Sequence, residues 1–265
     1  MPNLPASIFS PEHLRGKVAL ITGGGTGIGK EIARTLAAHG ARIIICSRKI
    51  DVLDATAKEL RAEGAQCLTM ACDIREPEAV EAVVAKCIEE FDQLDILVNN
   101  AAGNFPARIE DLSYNAFKTV VDIDLQGTFN MTKAAFTLAM RKNGGVVINI
   151  AAPFEHLGVA WQAHAAAAKS GVISLTRSAA VEWANLGIRV NAVSPGGIVD
   201  TTGLDKMVAP LTSNNKAARY GTRQDIANAV MFLASDAARF ISGVNLCVDG
   251  GTSVDMLKIP IYEDE

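Results

Sequence analysis

Three glycines and then two more, in Thr22-Gly23-Gly24-Gly25-Thr26-Gly27-Ile28-Gly29, stand between a five-residue apolar run and a segment of helical period. A chain that passes from strand to helix through such a turn has few options. The glycines permit a tight bend, and the helix amino terminus then presents unpaired N–H groups and a partial positive charge, a setting suited to a pyrophosphate. The rest of the chain continues the same alternation. Strands are expected at Val18 to Thr22, Arg42 to Cys46, Gln66 to Ala71, Ile96 to Asn99, Val146 to Ile150, Arg189 to Val193 and Val244 to Val248. Helices are expected at Gly27 to His39, Asp51 to Glu63, Glu76 to Glu90, about Ser113 to Arg141, Gln162 to Leu186 and Gln224 to Ala234. Repeated βα units of this kind predict an α/β fold, a doubly wound Rossmann-type parallel sheet of about seven strands with helices on both faces.

Residues 1–265 read as one domain, because no Pro/Gly/Ser-rich linker, repeat or low-complexity tract interrupts the alternation. Two stretches break it, Ala101 to Leu112 and Pro195 to about Arg219, and each follows the carboxyl end of a strand, where open α/β sheets bind ligands. The second, at about 198–219, suits a substrate lid. A formal net charge of -4 argues against a nucleic-acid-coating protein. No segment has the ~20 apolar residues of a membrane span, and no export signal is visible. The final residues Tyr262-Glu263-Asp264-Glu265 are not a peroxisomal address. Five scattered cysteines without a CxxC spacing predict neither a disulfide framework nor a zinc site, so a reducing, cytoplasmic compartment and no metal are expected.

The end of the second strand bears on cofactor choice. An acidic residue there would bind the 2′-hydroxyl of NAD and repel a 2′-phosphate, whereas this chain has Cys46-Ser47-Arg48-Lys49. A charge-assisted hydrogen bond from Arg48 would contribute ~1.5 to 3 kcal/mol, roughly tenfold or more in affinity. NADP(H) is therefore the expected cofactor.

The spacing Gly-x-x-x-Gly-x-Gly resembles the short-chain dehydrogenase/reductase family, and the resemblance runs over almost the whole chain. Asp73 resembles its adenine-contacting Asp, and Asn99-Asn100-Ala101-Ala102-Gly103 its Asn-Asn-Ala-Gly element. Asn191 through Gly196, with Ile198, looks like the segment packed on the nicotinamide, and Val248-Asp249-Gly250-Gly251 like the last-strand signature. The resemblance implies a cofactor site of Gly23, Thr26, Gly27, Ile28, Gly29, Ser47, Arg48, Lys49, Asp73, Ile74, Asn100, Ala101, Ala102, Lys169, Pro195, Gly196 and Ile198.

The family's acid is missing. In that family a Tyr lies four residues before a Lys and protonates a carbonyl oxygen, with a Ser thirteen residues before the Tyr. Here Lys169 is kept, but Ala165 and Ala152 occupy the Tyr and Ser positions, and the only tyrosines are Tyr114, Tyr220 and Tyr262. Asp124 replaces the family's Asn. Phe154 stands near the place where mitochondrial-type dienoyl reductases carry an alternative Tyr. A reaction that builds charge away from the reduced carbon tolerates these losses. Reduction of a C=C bond conjugated to a thioester is one, because the charge develops on the remote thioester oxygen.

Asn100 through Phe105, Leu112 through Val120, Asp124 and His164 resemble the peroxisomal-type 2,4-dienoyl-CoA reductases and their bacterial relatives, with trans-2-enoyl-CoA reductases similar at the His. The resemblance implies an NADPH-dependent, homotetrameric acyl-CoA reductase. Lys169 would hold the nicotinamide ribose, Asp124 would orient a proton-delivering water, and His164 would act as acid or as donor to the thioester oxygen. Asn104, Phe105, Asn115 and His156 would meet substrate, and Lys206, Lys216, Arg219 and Arg223 the CoA phosphates. A carbonyl/alcohol oxidoreductase and a cofactor-binding relative without turnover are the alternatives.

Overall fold

A computed structural model describes residues 9–155, 157–201 and 220–254. Seven parallel strands form one sheet in the order β3-β2-β1-β4-β5-β6-β7. They are β1 (Val18–Thr22), β2 (Arg42–Ser47), β3 (Cys67–Ala71), β4 (Ile96–Asn99), β5 (Gly145–Ile150), β6 (Ile188–Pro195) and β7 (Asn245–Val248). The chain turns from one half of the sheet to the other between β1 and β4, which pair directly. That reversal opens a crevice at the strands' carboxyl ends.

Alternation along each strand fills both faces. Ala19, Ile21, Ile43 and Ile45 point into one buried layer, shared with Ile32 and Leu36 of α1 (Gly27–Ala38), Leu53 and Leu60 of α2 (Ile50–Ala62), and Val230 of α8 (Arg223–Ala234). Val18, Leu20 and Ile44 point into the other, with Val80 and Val84 of α3 (Pro77–Phe91), Met131 of α5 (Gly127–Ala135), and Ala179 of α7 (Ala163–Trp183). Both faces are covered, so β1 is buried at every position and the middle of β2 is an unbroken apolar run, as central parallel strands require.

The expected long helix after β4 is observed as α4 (Tyr114–Val121), α5 and α6 (Arg141–Asn143) in one rod, interrupted by π-helical turns at Asp122–Gln126 and Phe136–Met140. Ser113 caps α4, its hydroxyl accepting from Ala116 N–H at 3.1 Å. Thr222 and Asp225 form a reciprocal cap on α8. The sixth strand extends two residues beyond expectation, so Pro195 belongs to the sheet, in register with Val248. Of the lid expected at about 198–219, residues 202–219 lie outside the described residues, as do Lys206, Lys216, Arg219 and His156.

Candidate active site

At the end of β1 the chain bends at Gly23, whose φ of +66° lies in the region that only glycine adopts freely. Gly29 permits the close approach behind it: a Cβ there would lie 2.4 Å from Gly23 O and from Asn100 Nδ2. Thr22 Oγ1 accepts from the N–H groups of Asn100 and Ala101, both at 2.9 Å, and Asn100 Nδ2 donates to Thr22 O at 2.9 Å. The glycine turn and the loop after β4 are thus one rigid unit. The Thr26 side chain caps none of the first-turn N–H groups of α1, which leaves these donors for an anion.

Above this unit lies a cleft of about 720 Å³, a volume suited to a dinucleotide or other cofactor. It gathers Gly23, Thr26, Gly27, Ile28, Gly29, Ser47, Arg48, Lys49, Asp73, Ile74, Asn100, Ala101 and Ala102, thirteen of the positions expected to meet cofactor. Asn104 also lines it, and Gly25, Cys46, Val52, Cys72, Ile123, Asp200 and Thr201 join them without having been expected. The Asn100 amide is bonded to the glycine turn, so its side chain shapes the wall. Asp73 Oδ1 accepts from Arg75 N–H at 3.1 Å and from Arg75 Nε at 2.9 Å. The Arg75 guanidinium holds the Asp73 carboxyl below the usual carboxylate range, and Arg48 adds to the effect. The sequence reading missed Arg75, whose only signal was an opposite charge two residues from Asp73.

Pro195, Gly196, Ile198 and Lys169 do not line the cleft. Gly196 N–H donates to Val248 O at 3.0 Å. Ile198, expected on the nicotinamide, is 3% exposed within the core and bridges to Gly221. Apolar burial places its side chain there. Asn115 is exposed on α4, so it does not join the buried groups near the cleft.

Deeper in, the π turn at Asp122–Gln126 carries Asp124, 1% exposed. Such turns insert a residue into the helical register and recur at functional sites. Asp124 Oδ1 accepts from Gly103 N–H at 2.7 Å, and Oδ2 lies 3.6 Å from Lys169 Nζ. Lys169 Nζ also donates to Ile150 O at 2.9 Å. The pair is buried and opposite in charge, so each compensates the desolvation of the other.

One helical turn before Lys169, His164 is fully buried, and neither ring nitrogen has a hydrogen bond of normal geometry. The Phe105 ring meets it edge-on at 4.6 Å between centroids. Burial pushes the imidazole below its ordinary value, against a smaller upward pull from the Phe105 backbone and Asp124. The downward shift favours the neutral imidazole, which fits a hydrogen-bond donor better than an imidazolium acid.

Ala165 is 3% exposed where a phenol would stand. Tyr114 is 97% exposed at the start of α4, and Tyr220 is 48% exposed. Neither lines the cleft, and Tyr262 lies outside the described residues. Gln162, 2% exposed, accepts from Asn104 Nδ2 at 2.6 Å and was not singled out from sequence. Among the described residues, no group of three or more His, Cys, Asp or Glu could hold a metal, and no helix is long and apolar enough to cross a membrane.

A parallel sheet reversing between β1 and β4, a glycine turn beneath a nucleotide-sized cleft and a buried lysine beyond it define a nicotinamide-dependent oxidoreductase of the short-chain type. The chain belongs to the short-chain dehydrogenase/reductase family, and a family model described as Enoyl-(Acyl carrier protein) reductase matches residues 23–253. It is 44% identical over 252 residues to the peroxisomal 2,4-dienoyl-CoA reductase [(3E)-enoyl-CoA-producing] of Rattus norvegicus, covering 92% of this chain and 86% of that one. A citronellol catabolism dehydrogenase from Pseudomonas aeruginosa PAO1 is 38% identical with a TM-score of 0.84, over 93% of this chain and 99% of that one. An actinorhodin polyketide ketoreductase with NADPH is 32% identical with a TM-score of 0.85, over 89% of this chain and 97% of that one.

Proposed function

We propose that this protein is an NADPH-dependent reductase of a conjugated C=C bond in an acyl-CoA thioester, most similar in chemistry to a 2,4-dienoyl-CoA reductase. The observation that carries this reading is the buried Asp124–Lys169 pair beside Ala165, a centre with charge and hydrogen-bond donors but, among the described residues, no phenol. The rat enzyme's name supports the substrate class. Arg48 and Lys49 on the cleft wall, where an acidic residue would select NAD, support NADP(H).

The cofactor supplies hydride. The chain supplies the rest: the α1 amino terminus and Arg48 would bind phosphates, Lys169, which does not itself line the cleft here, would hold the ribose and supply positive potential, and Asp124 would orient a proton-delivering water. His164 would donate a hydrogen bond toward the thioester oxygen, and Asn104 and Phe105 would meet the acyl group; His156, expected to join them, lies outside the described residues. We infer one domain over residues 1–265, a homotetrameric assembly and a reducing, cytoplasmic compartment; most of the lid expected at about 198–219 lies outside the described residues. The free cysteines support that compartment.

Oxidation of NADPH followed with a 2,4-dienoyl-CoA, a trans-2-enoyl-CoA and a β-ketoacyl thioester tests the reading. Turnover of the dienoyl substrate is expected. Turnover of the ketone alone would overturn it in favour of a carbonyl reductase, and tight NADPH binding with no turnover would make the chain a cofactor-binding relative.

A further inference from the structure

The loop after β4 is held to two other segments by four residues between 103 and 107. Gly103 N–H donates to Asp124, Asn104 Nδ2 donates to Gln162 at 2.6 Å, the Phe105 ring rests on His164, and Ala107 N–H donates to Trp161 O at 3.0 Å. Three of these four ties end on residues 161–164, at the start of α7. Gln162 is the polar anchor among them. Its side chain is 2% exposed, and its main chain is pinned by Ala166 N–H donating to Gln162 O at 2.7 Å. The residue before it, Trp161, has a φ of +64°, a conformation that non-glycine residues adopt at a cost. Surrounding contacts must hold it there, and the Ala107 bond is one of them.

A long amide side chain buried at a helix start is expensive unless its hydrogen bonds are used. Here its oxygen is spent on one group, the Asn104 amide, and Asn104 lines the cofactor cleft. The next residue back, Gly103, supplies the N–H that fixes Asp124 beside Lys169. A shift of Asn104 therefore moves the amide on which the Asp124 carboxylate is oriented. We propose that Gln162 is a positioning residue for the reaction: it acts through Asn104 to hold the 103–107 loop, and with it Asp124 and the wall of the acyl site, in register with the cofactor. The role rests on the reading of this site as an acyl-thioester reductase, but the loop's dependence on Gln162 does not.

Removing the acceptor takes one hydrogen bond from the part-buried Asn104 amide, an effect of about tenfold in the step that needs it. Gln162→Leu is expected to lower kcat/KM about tenfold for whichever thioester the wild type reduces, with the loss mainly in kcat. The dissociation constant of NADPH should change less than about threefold, because the glycine turn and Arg48 are untouched. The effect should not multiply with Asn104→Ala: the double variant should match Asn104→Ala alone, since Gln162 acts only through that residue. Gln162→Glu keeps an acceptor oxygen and should recover part of the lost kcat. Multiplying losses, or a Gln162→Glu enzyme no better than Gln162→Leu, would overturn the proposal. Amide exchange read by mass spectrometry provides a measure that needs no substrate. Exchange across 103–107 should accelerate in Gln162→Leu while the peptide over 18–30 is unchanged. Equal exchange in wild type and variant would overturn the proposal even if no thioester is turned over, whereas failure of the function alone would leave that acceleration in place.

Discussion

The Asp124 carboxylate sits 3.6 Å from the Lys169 ammonium and receives the Gly103 N–H on its other oxygen, fully inside the protein. An ionised acid so placed can orient water but has little capacity left to bind substrate. Asp124→Asn preserves shape and one acceptor oxygen while removing the charge. It is expected to reduce kcat by about 100-fold or more, with NADPH affinity changed by less than about threefold. Steady-state kinetics beside a cofactor titration check this, and an equal loss in both would instead mark Asp124 as a cofactor-site residue.

Arg48 lines the cleft at the end of β2, with Ser47 and Lys49 beside it and no carboxylate in the preceding strand. Arg48→Ala should raise the KM for NADPH by about tenfold or more and leave that for NADH within about twofold. Unchanged preference between the two cofactors would show that Arg48 only solvates a strand end.

His164 links pH to stability. Burial pushes its folded value below the ordinary 6.5, so the unfolded chain takes up a proton before the native one does. The native state keeps its full advantage above pH 6.5 and loses it as pH falls through the interval down to the depressed folded value. Urea midpoints measured between pH 8 and pH 5 should therefore fall with acid in the wild type, and the slope should be shallower in His164→Leu. Parallel curves would contradict a buried neutral imidazole.

Asp92 ends α3 with a φ of 63°, and its N–H donates to Ile88 O at 2.8 Å. Glycine adopts this conformation without a Cβ clash, whereas a β-branched residue resists it. Asp92→Gly should stabilise the fold by about 0.5 kcal/mol and Asp92→Val should destabilise it by about 1 kcal/mol or more. Chemical denaturation of the two variants checks both signs.

Much of this architecture was legible before any coordinates. The strand at Val18–Thr22 and the start of α1 at Gly27 follow from an apolar run meeting a glycine turn, both of them local features. Local pattern served less well for the rod after β4. Its periodicity announced a helix but gave no sign of the π turn at Asp122–Gln126, because a register shift of one residue arises from packing. Leu125 shows why: it packs so closely on α7 that a Cβ at Gly171 would meet its Cδ2 at 2.8 Å. Ile198 shows a similar limit: its position in the motif points to the cofactor, and only the packing shows its side chain buried in the layer of Ile21 and Ile45.

The sequence alone determined the class of sheet, the nucleotide turn, the basic end of β2 and the absence of a phenol four residues before Lys169, because each depends on residue type over a short span of chain. Tertiary structure alone decided that Asp124 pairs with Lys169, that His164 is buried, and that Gln162 takes the Asn104 amide. Those three facts join residues that are remote in sequence or fix their solvation, and both are set only when helices close over the sheet and exclude water.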